Sequence, residues 1–389
     1  MLNQKIILSS LTIFAIIWSI YQERLTIPSC DVVSSPIDHH PDDLTAVLVS
    51  NLLLVDSHAS FRTFLRDLFL SNFFSKSFEL LKPDMLIVLG DVSAMGYELT
   101  RKDWSSVLQR LESILGPYLQ LPLHVTLGDR DIGECAKLKP GFVQRIASSF
   151  PDLDSVGCGS FEIGNVSFVS LNTVALLCGN NELLPDIERV VERESAYLRM
   201  RTEGANETID KSYVTNEDSY EFQWKEHSAS SQSGPVLLVH FPFQHVSEPH
   251  CRERNINLLR DSMRLLQSRV VENSGLYDLL HTVPPNATEY VLRALKPRMI
   301  FSAHSNKFCD ITHQDGTREV TVPGLTWTAQ NDPGFVVATF KTNGSVTVTY
   351  CSLPSESYII IAVVTISTIS VLVAVIINWL HFANFKQNR

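Results

Sequence analysis

The chain has 389 residues, enough for one large domain or two small ones, and 44% of them are hydrophobic. Its formal net charge is −10 and no Lys/Arg-dense stripe occurs, which argues against nucleic acid as a partner. Seven cysteines without a C-x-x-C pair argue against a structural zinc site and leave at least one thiol unpaired.

At the start, Ile6–Tyr21 is an uncharged run behind Lys5, followed by Glu23 and Arg24. No small-x-small cleavage site follows it, so residues 1–24 read as an uncleaved signal anchor rather than a cleaved signal peptide. A Pro/Asp-rich connector (Pro28–Asp43) leads to Thr45–Val55, which reads as a strand. Phe61–Leu81 carries apolar residues at helical spacing (Phe61, Phe64, Leu65, Leu68, Phe69) and reads as a helix. Met85–Leu89 is the next predicted strand, Trp104–Leu115 a helix and Leu121–Leu127 a third strand. This alternation predicts a parallel sheet built from right-handed crossovers.

Phe161–Ile163 and Val166–Leu171 flank Gly164-Asn165 as a predicted hairpin. Asp186–Arg201 reads as a charged, solvated helix, and the polar stretch Glu203–Ser233 as a loop or insertion. Val236–Val239 returns to strand, Cys251–Pro285 is a second insertion, and Ala287–Leu295 is a helix before strand Arg298–Ser302. Glu319–Val322 and Phe335–Tyr350 close the domain with antiparallel strands around Asn343-Gly344, giving one domain over residues 45–352. Tyr358–Leu380 then runs 23 residues without a charge and reads as a transmembrane helix, with residues 381–389 as a cytosolic tail. That charged tail, and the lack of a polar spacer, set aside a GPI-attachment signal. Four N-x-S/T sequons, at Asn165, Asn206, Asn286 and Asn343, all lie between the apolar ends and point to a lumenal central region.

Five polar strings each close an apolar run: VDSHAS, LGDVSAMG, LGDRDIG, LLVHFPF and FSAHSNKF. Past the carboxyl ends of parallel strands they place Asp56, His58, Asp91, Asp129, His240 and His304, all metal-ligand types. Three carboxylates in one crevice are costly unless a cation neutralises them, so this pattern calls for a metal centre.

The order D-x-H, G-D, G-D-R-D, His, His resembles the calcineurin-like metallophosphoesterases over roughly Leu52 to Cys351. Phrases such as GDRDIG, SLNTVAL, LLVHFPF and VPGLTW, between two apolar segments, look like that family's endoplasmic-reticulum branch. The resemblance implies an α/β fold, a metallophosphoesterase β-sandwich flanked by helices, with one or two transmembrane helices. It implies two divalent metals, Mn²⁺ favoured and Fe or Zn²⁺ alternatives, with Asp56, His58 and Asp91 on the first. Asp91 bridges to the second, held by Asp129, His240 and His304. It further implies hydrolysis of the ethanolamine-phosphate phosphodiester on GPI-anchor glycans, at a lumenal face of the endoplasmic reticulum or early Golgi. The partners would be GPI-anchored proteins or a glycolipid phosphodiester.

Departures from the family pattern are informative. Asp129 stands for Asn, Ala303 for Gly, and Asn306 for a second His on the first metal. Arg130 stands for the His that serves the leaving group; Arg steadies phosphate charge but cannot be a general acid. Asp131 is expected to orient Arg130 through a salt bridge. The alternative reading is a catalytically weakened member that binds GPI glycans or cargo, or a phosphoesterase with another lumenal substrate.

Overall fold

A computed structural model describes residues 29–30, 42–55, 61–179, 181–211, 234–243, 282–305, 307–325, 333–354 and 356–387. Among the described residues, two six-stranded sheets form the centre. The first contains β1 (Ser29–Cys30), β2 (Leu44–Val49), β3 (Met85–Leu89), β4 (Leu123–Thr126), β11 (Gly334–Phe340) and β12 (Val346–Ser352), in the order β1-β12-β11-β2-β3-β4. The second contains β5 (Gly159–Ile163), β6 (Val166–Leu171), β7 (Val236–Val239), β8 (Met299–Ser302), β9 (Cys309–Thr312) and β10 (Arg318–Thr321), in the order β5-β6-β7-β8-β10-β9. β2, β3 and β4 run parallel, as do β6, β7, β8 and β10.

The strands are continuously apolar because both faces are covered. Leu44, Ala46 and Leu48 of β2 and Met85, Ile87 and Leu89 of β3 pack against Phe168, Leu238 and Phe301 of the other sheet. The alternate residues Val47, Val49, Leu86 and Val88 face outward, against the helices that connect the strands. α1 (Phe61–Leu81) supplies Phe69, Leu70, Phe73 and Phe74 to that layer, and α2 (Arg101–Leu115) supplies Trp104, Val107 and Leu111. α2 starts where the Thr100 side chain accepts from the Asp103 N–H, an N-cap, and ends at Gly116 with φ 52. Further along come α3 (Asp129–Ile132), α4 (Pro140–Ala147), α5 (Thr173–Cys178), α6 (Leu184–Lys211), α7 (Pro285–Leu295) and α8 (Glu356–Gln387).

Most predicted elements are present, and the differences have local causes. The expected strand Thr45–Val55 stops at Val49, because Asn51 and Leu53 take positive φ (52 and 49) and break the extended run. The region from Glu203 does not begin as a loop: α6 carries on to Lys211, and residues 212–233 lie outside the described residues, as do 244–281. The β5–β6 hairpin turns at Gly164 and Asn165, both with positive φ, the pairing that suits the strands' twist. Cysteine pairing joins Cys30 to Cys351 and Cys135 to Cys178, while Cys158 is free and buried.

Over the residues whose side chains are described, no helix is long and apolar enough to cross a membrane. The stretch Tyr358–Leu380 lies inside α8, where several side chains fall outside that description. The described ones include strongly exposed Ile361, Val364, Ile369, Val371, Leu372 and Trp379.

The Cys30–Cys351 bridge ties β1 to the edge of the first sheet across 321 positions of sequence. Replacing Cys30 and Cys351 by Ser is expected to cost about 2–4 kcal/mol, read as a lower urea midpoint.

Candidate metal centre

Both parallel sets of strands deliver their carboxyl ends to one rim of the sandwich. β3 ends in Gly90-Asp91, β4 leads through Leu127-Gly128 to Asp129, β7 ends at His240, and β8 leads to Ala303-His304. One donor atom from each of Asp91, Asp129, His240 and His304 lies within 4.8 Å of every other. Thus four of the six residues picked out at strand ends come together. Asp56 and His58 lie outside the described residues, as does Asn306. The described chain just before Asp56 is zipped along the Asp91 turn: Leu53 N–H donates to Asp91 O and Leu54 N–H to Val92 O.

The carbonyl of Leu89 can only accept, so His240 Nδ1 donates to it (2.8 Å) and Nε2 is turned toward the cluster. Nε2 lies 3.0 Å from Asp129 Oδ1 and 3.6 Å from Asp91 Oδ1. His304 Nδ1 lies 3.2 Å from the same Asp129 oxygen and 3.3 Å from His240 Nε2. The Arg130 backbone N–H holds Asp91 Oδ1 at 2.9 Å. Asp91 and His304 both occupy left-handed backbone (φ 55 and 61), strain of a kind that collects at functional sites.

Two glycines make the close approach possible. A Cβ on Gly90 would strike the His240 ring, and one on Gly128 would strike the Asp91 carboxylate. The recurring L-G-D string in the sequence is the signal for this, although its steric meaning needs the opposing histidine to be placed.

Burial raises Asp91 to about 8, with Asp129 and Asp131 adding repulsion and His240 opposing it. Burial works against a charged His240, yet Asp91 and Asp129 more than offset it and lift the imidazole to about 9. Burial also works against a charged Asp129, but the contacts from His240 and His304 hold it well below the usual carboxylate range. The cluster therefore retains protons that a cation would displace. Two carboxylates and two imidazoles are a suitable donor set for a divalent ion, so these residues fit the metal centre the sequence calls for.

Asp131 corrects an expectation. It does not pair with Arg130 but accepts from Ser93 N–H (2.9 Å) and Gly128 N–H (3.1 Å), fastening the β4 turn to the β3 turn. Burial raises its carboxyl to about 6 despite those donors. Arg130 instead places Nε 3.7 Å from Asp129 Oδ2, with its side chain 54% exposed. Its guanidinium is thus held at the rim and open to solvent.

No family model matches the chain. Curated relatives do. Metallophosphoesterase 1 of Danio rerio is 26% identical over 315 residues, 81% of this chain and 74% of that protein. The Metallophosphoesterase 1 homolog of Drosophila melanogaster is 22% identical over 320 residues, 82% of this chain and 78% of that protein. Among solved structures, a dimetal phosphatase from Danio rerio aligns over 76% of this chain and 92% of its own, at 13% identity and a TM-score of 0.41. Along most of its length the chain is thus similar to the proteins named Metallophosphoesterase 1.

The proton bookkeeping gives a test. Asp91 and His240 both have folded pKa values above their ordinary ones, so each stabilises the metal-free fold at low pH. The Asp91 contribution is lost as pH rises from about 4 to 8, and the His240 contribution between about 6.5 and 9. Thermal unfolding of chelator-treated protein should show a falling Tm from pH 6 to pH 9. Added Mn²⁺ should raise Tm more at pH 8.5 than at pH 6, because fewer protons must then be displaced.

Proposed function

We propose that this protein is a metallophosphoesterase acting on a phosphodiester at a membrane surface in the secretory pathway, namely the ethanolamine-phosphate linkage on GPI-anchor glycans. The convergence of Asp91, Asp129, His240 and His304 at one rim is the observation that carries the phosphoesterase reading. Asp91, Asp129, His240 and His304 would hold one ion, with Asp56, His58 and Asn306 completing a second around Asp91. Mn²⁺ is favoured for this mixed oxygen and nitrogen set, with Fe and Zn²⁺ as alternatives. Divalent ions bound there supply charge neutralisation for the diester and make water more acidic.

The protein's own residues do the rest. His240, locked through Leu89, and Asp91, held by the Arg130 amide, keep the donors from rearranging as charge develops. The solvent-open Arg130 guanidinium offers paired N–H donors to a phosphate oxygen and lends positive charge without giving up a proton. Gly90 lets His240 of the opposite sheet close in, and Gly128 lets the Asp91 carboxylate lie against the turn after β4.

Several observations support a lumenal, membrane-held setting. Disulfides at Cys30–Cys351 and Cys135–Cys178 suit an oxidising compartment. The sequon residues Asn165, Asn286 and Asn343 are exposed, open to glycan attachment. Among its described side chains α8 exposes Ile361, Val364, Ile369, Val371, Leu372 and Trp379, an apolar surface that lipid would cover. A substrate that is itself glycolipid-bound would share that bilayer with the enzyme.

Full-length protein, Mn²⁺-loaded and in detergent, should hydrolyse bis(p-nitrophenyl) phosphate. Asp91→Asn and His240→Gln should each lower kcat/KM by more than about 100-fold, beyond the loss from removing a group that only orients a ligand. Equal rates for Asp91→Asn and wild type would overturn the enzymatic reading. Arg130→Ala should lower kcat by roughly 10²-fold while leaving the Mn²⁺ midpoint in place. Release of ethanolamine phosphate from a GPI-anchored protein in membranes tests the substrate; diester hydrolysis without that release would move the substrate elsewhere.

A further inference from the structure

The two sheets end side by side at β4 and β5, and a cavity of about 540 Å³ lies beside those edge strands. It opens at the amino ends of β3 and β4, around Met85 and Leu123, whereas the metal donors sit past the carboxyl ends. Its walls are apolar, with Leu111 and Leu115 from α2, Leu123 from β4, Phe150, and Phe161 and Ile163 from β5. The volume falls within the range of small-molecule pockets, and the lining has their usual character, mostly apolar with few polar groups.

One of those polar groups is His124. Its side chain is 2% exposed, yet neither ring nitrogen has a hydrogen-bond partner. The nearest acidic atom, Asp152 Oδ2, is 3.8 Å from Nδ1, too long for a hydrogen bond. Phe161 packs on the ring with centroids 4.5 Å apart, so the imidazole cannot easily turn away. Burial lowers the pKa of His124 more than Asp152 raises it, so the ring beside the cavity is neutral and does not repel a cation.

The remaining lining charges have one sign. Glu112 and Asp152 are carboxylates, and no Lys or Arg lines the cavity among the described residues. A carboxylate-ended lipid would meet two like charges there, while a protonated amine would meet two opposite ones. We propose that this cavity binds a cationic amphiphile, an alkyl chain ending in a protonated amine. The chain lies against Leu111, Leu123 and Ile163, and the ammonium sits at the mouth, paired with the half-exposed Asp152. The inference is independent of the phosphoesterase reading, since it uses no residue of the metal centre.

The test uses full-length, Mn²⁺-loaded protein and three water-soluble probes of equal chain length: hexylamine, hexanol and hexanoate. Ligand-observed NMR titration should give hexylamine an affinity at least tenfold above that of hexanoate. Ile163→Trp, which fills the cavity, should weaken hexylamine at least tenfold while diester hydrolysis stays unchanged. Should Ile163→Trp fail to fold, Asp152→Asn at the half-exposed mouth carries the same question and should also weaken hexylamine about tenfold. Hexanoate binding as tightly as hexylamine overturns the proposal. So does an unchanged hexylamine affinity in the variants, or no binding of any probe at millimolar concentration.

Discussion

A buried carboxylate beside a second one is tolerable only when positive charge shares the space. In this fold the charge comes from imidazoles carried in from the opposite sheet. Asp91 and Asp129 belong to one sheet's rim, His240 and His304 to the other's, so the pairing exists only when both sheets stack in register. The apolar core between the sheets, from Leu48 and Ile87 across to Phe168 and Phe301, is what holds that register. The energetics of the interior and the chemistry of the rim are therefore one problem. Any slip in the inter-sheet packing would separate the acids from the histidines that offset them.

The same dependence explains why the backbone is strained where it is. Asp91 and His304 sit at positive φ because each strand must turn sharply and still aim its side chain back at the rim. Gly90 and Gly128 leave the space into which His240 and Asp91 fit. Asp131 contributes from underneath, binding the two turns together through backbone N–H groups rather than acting on substrate. Its carboxylate has been spent on structure, which leaves Arg130 free to face solvent.

Much of this was legible in the residues. An apolar run that ends abruptly in Gly-Asp or His reads as a buried strand feeding a loop, and β3, β7 and the turn after β4 follow that rule. The strand-end strings gathered Asp91, Asp129, His240 and His304 in one crevice, and the structure brings those four together from two sheets rather than one. What sequence could not supply was long-range. That Asp131 reaches Ser93, 38 positions away, or that Cys30 pairs with Cys351, depends on tertiary proximity that no local pattern encodes. The early end of β2 was missed because Asn51 and Leu53 lie in an otherwise apolar string, and only their left-handed backbone interrupts it. The cavity beside β4 and β5 was equally hidden, since its walls come from four separate stretches that read individually as ordinary core.

The bridge between Cys30 and Cys351 has a topological result. It closes the whole domain into a covalent ring, with the two flanking segments leaving from neighbouring points 3.9 Å apart at their Cα atoms. A protease that severs any single peptide bond inside that ring opens it without liberating a fragment. The severed halves would stay joined to each other, and to both flanks, until a reductant reached the sulfur pair, and a cut between Cys135 and Cys178 would be held by that second bridge as well.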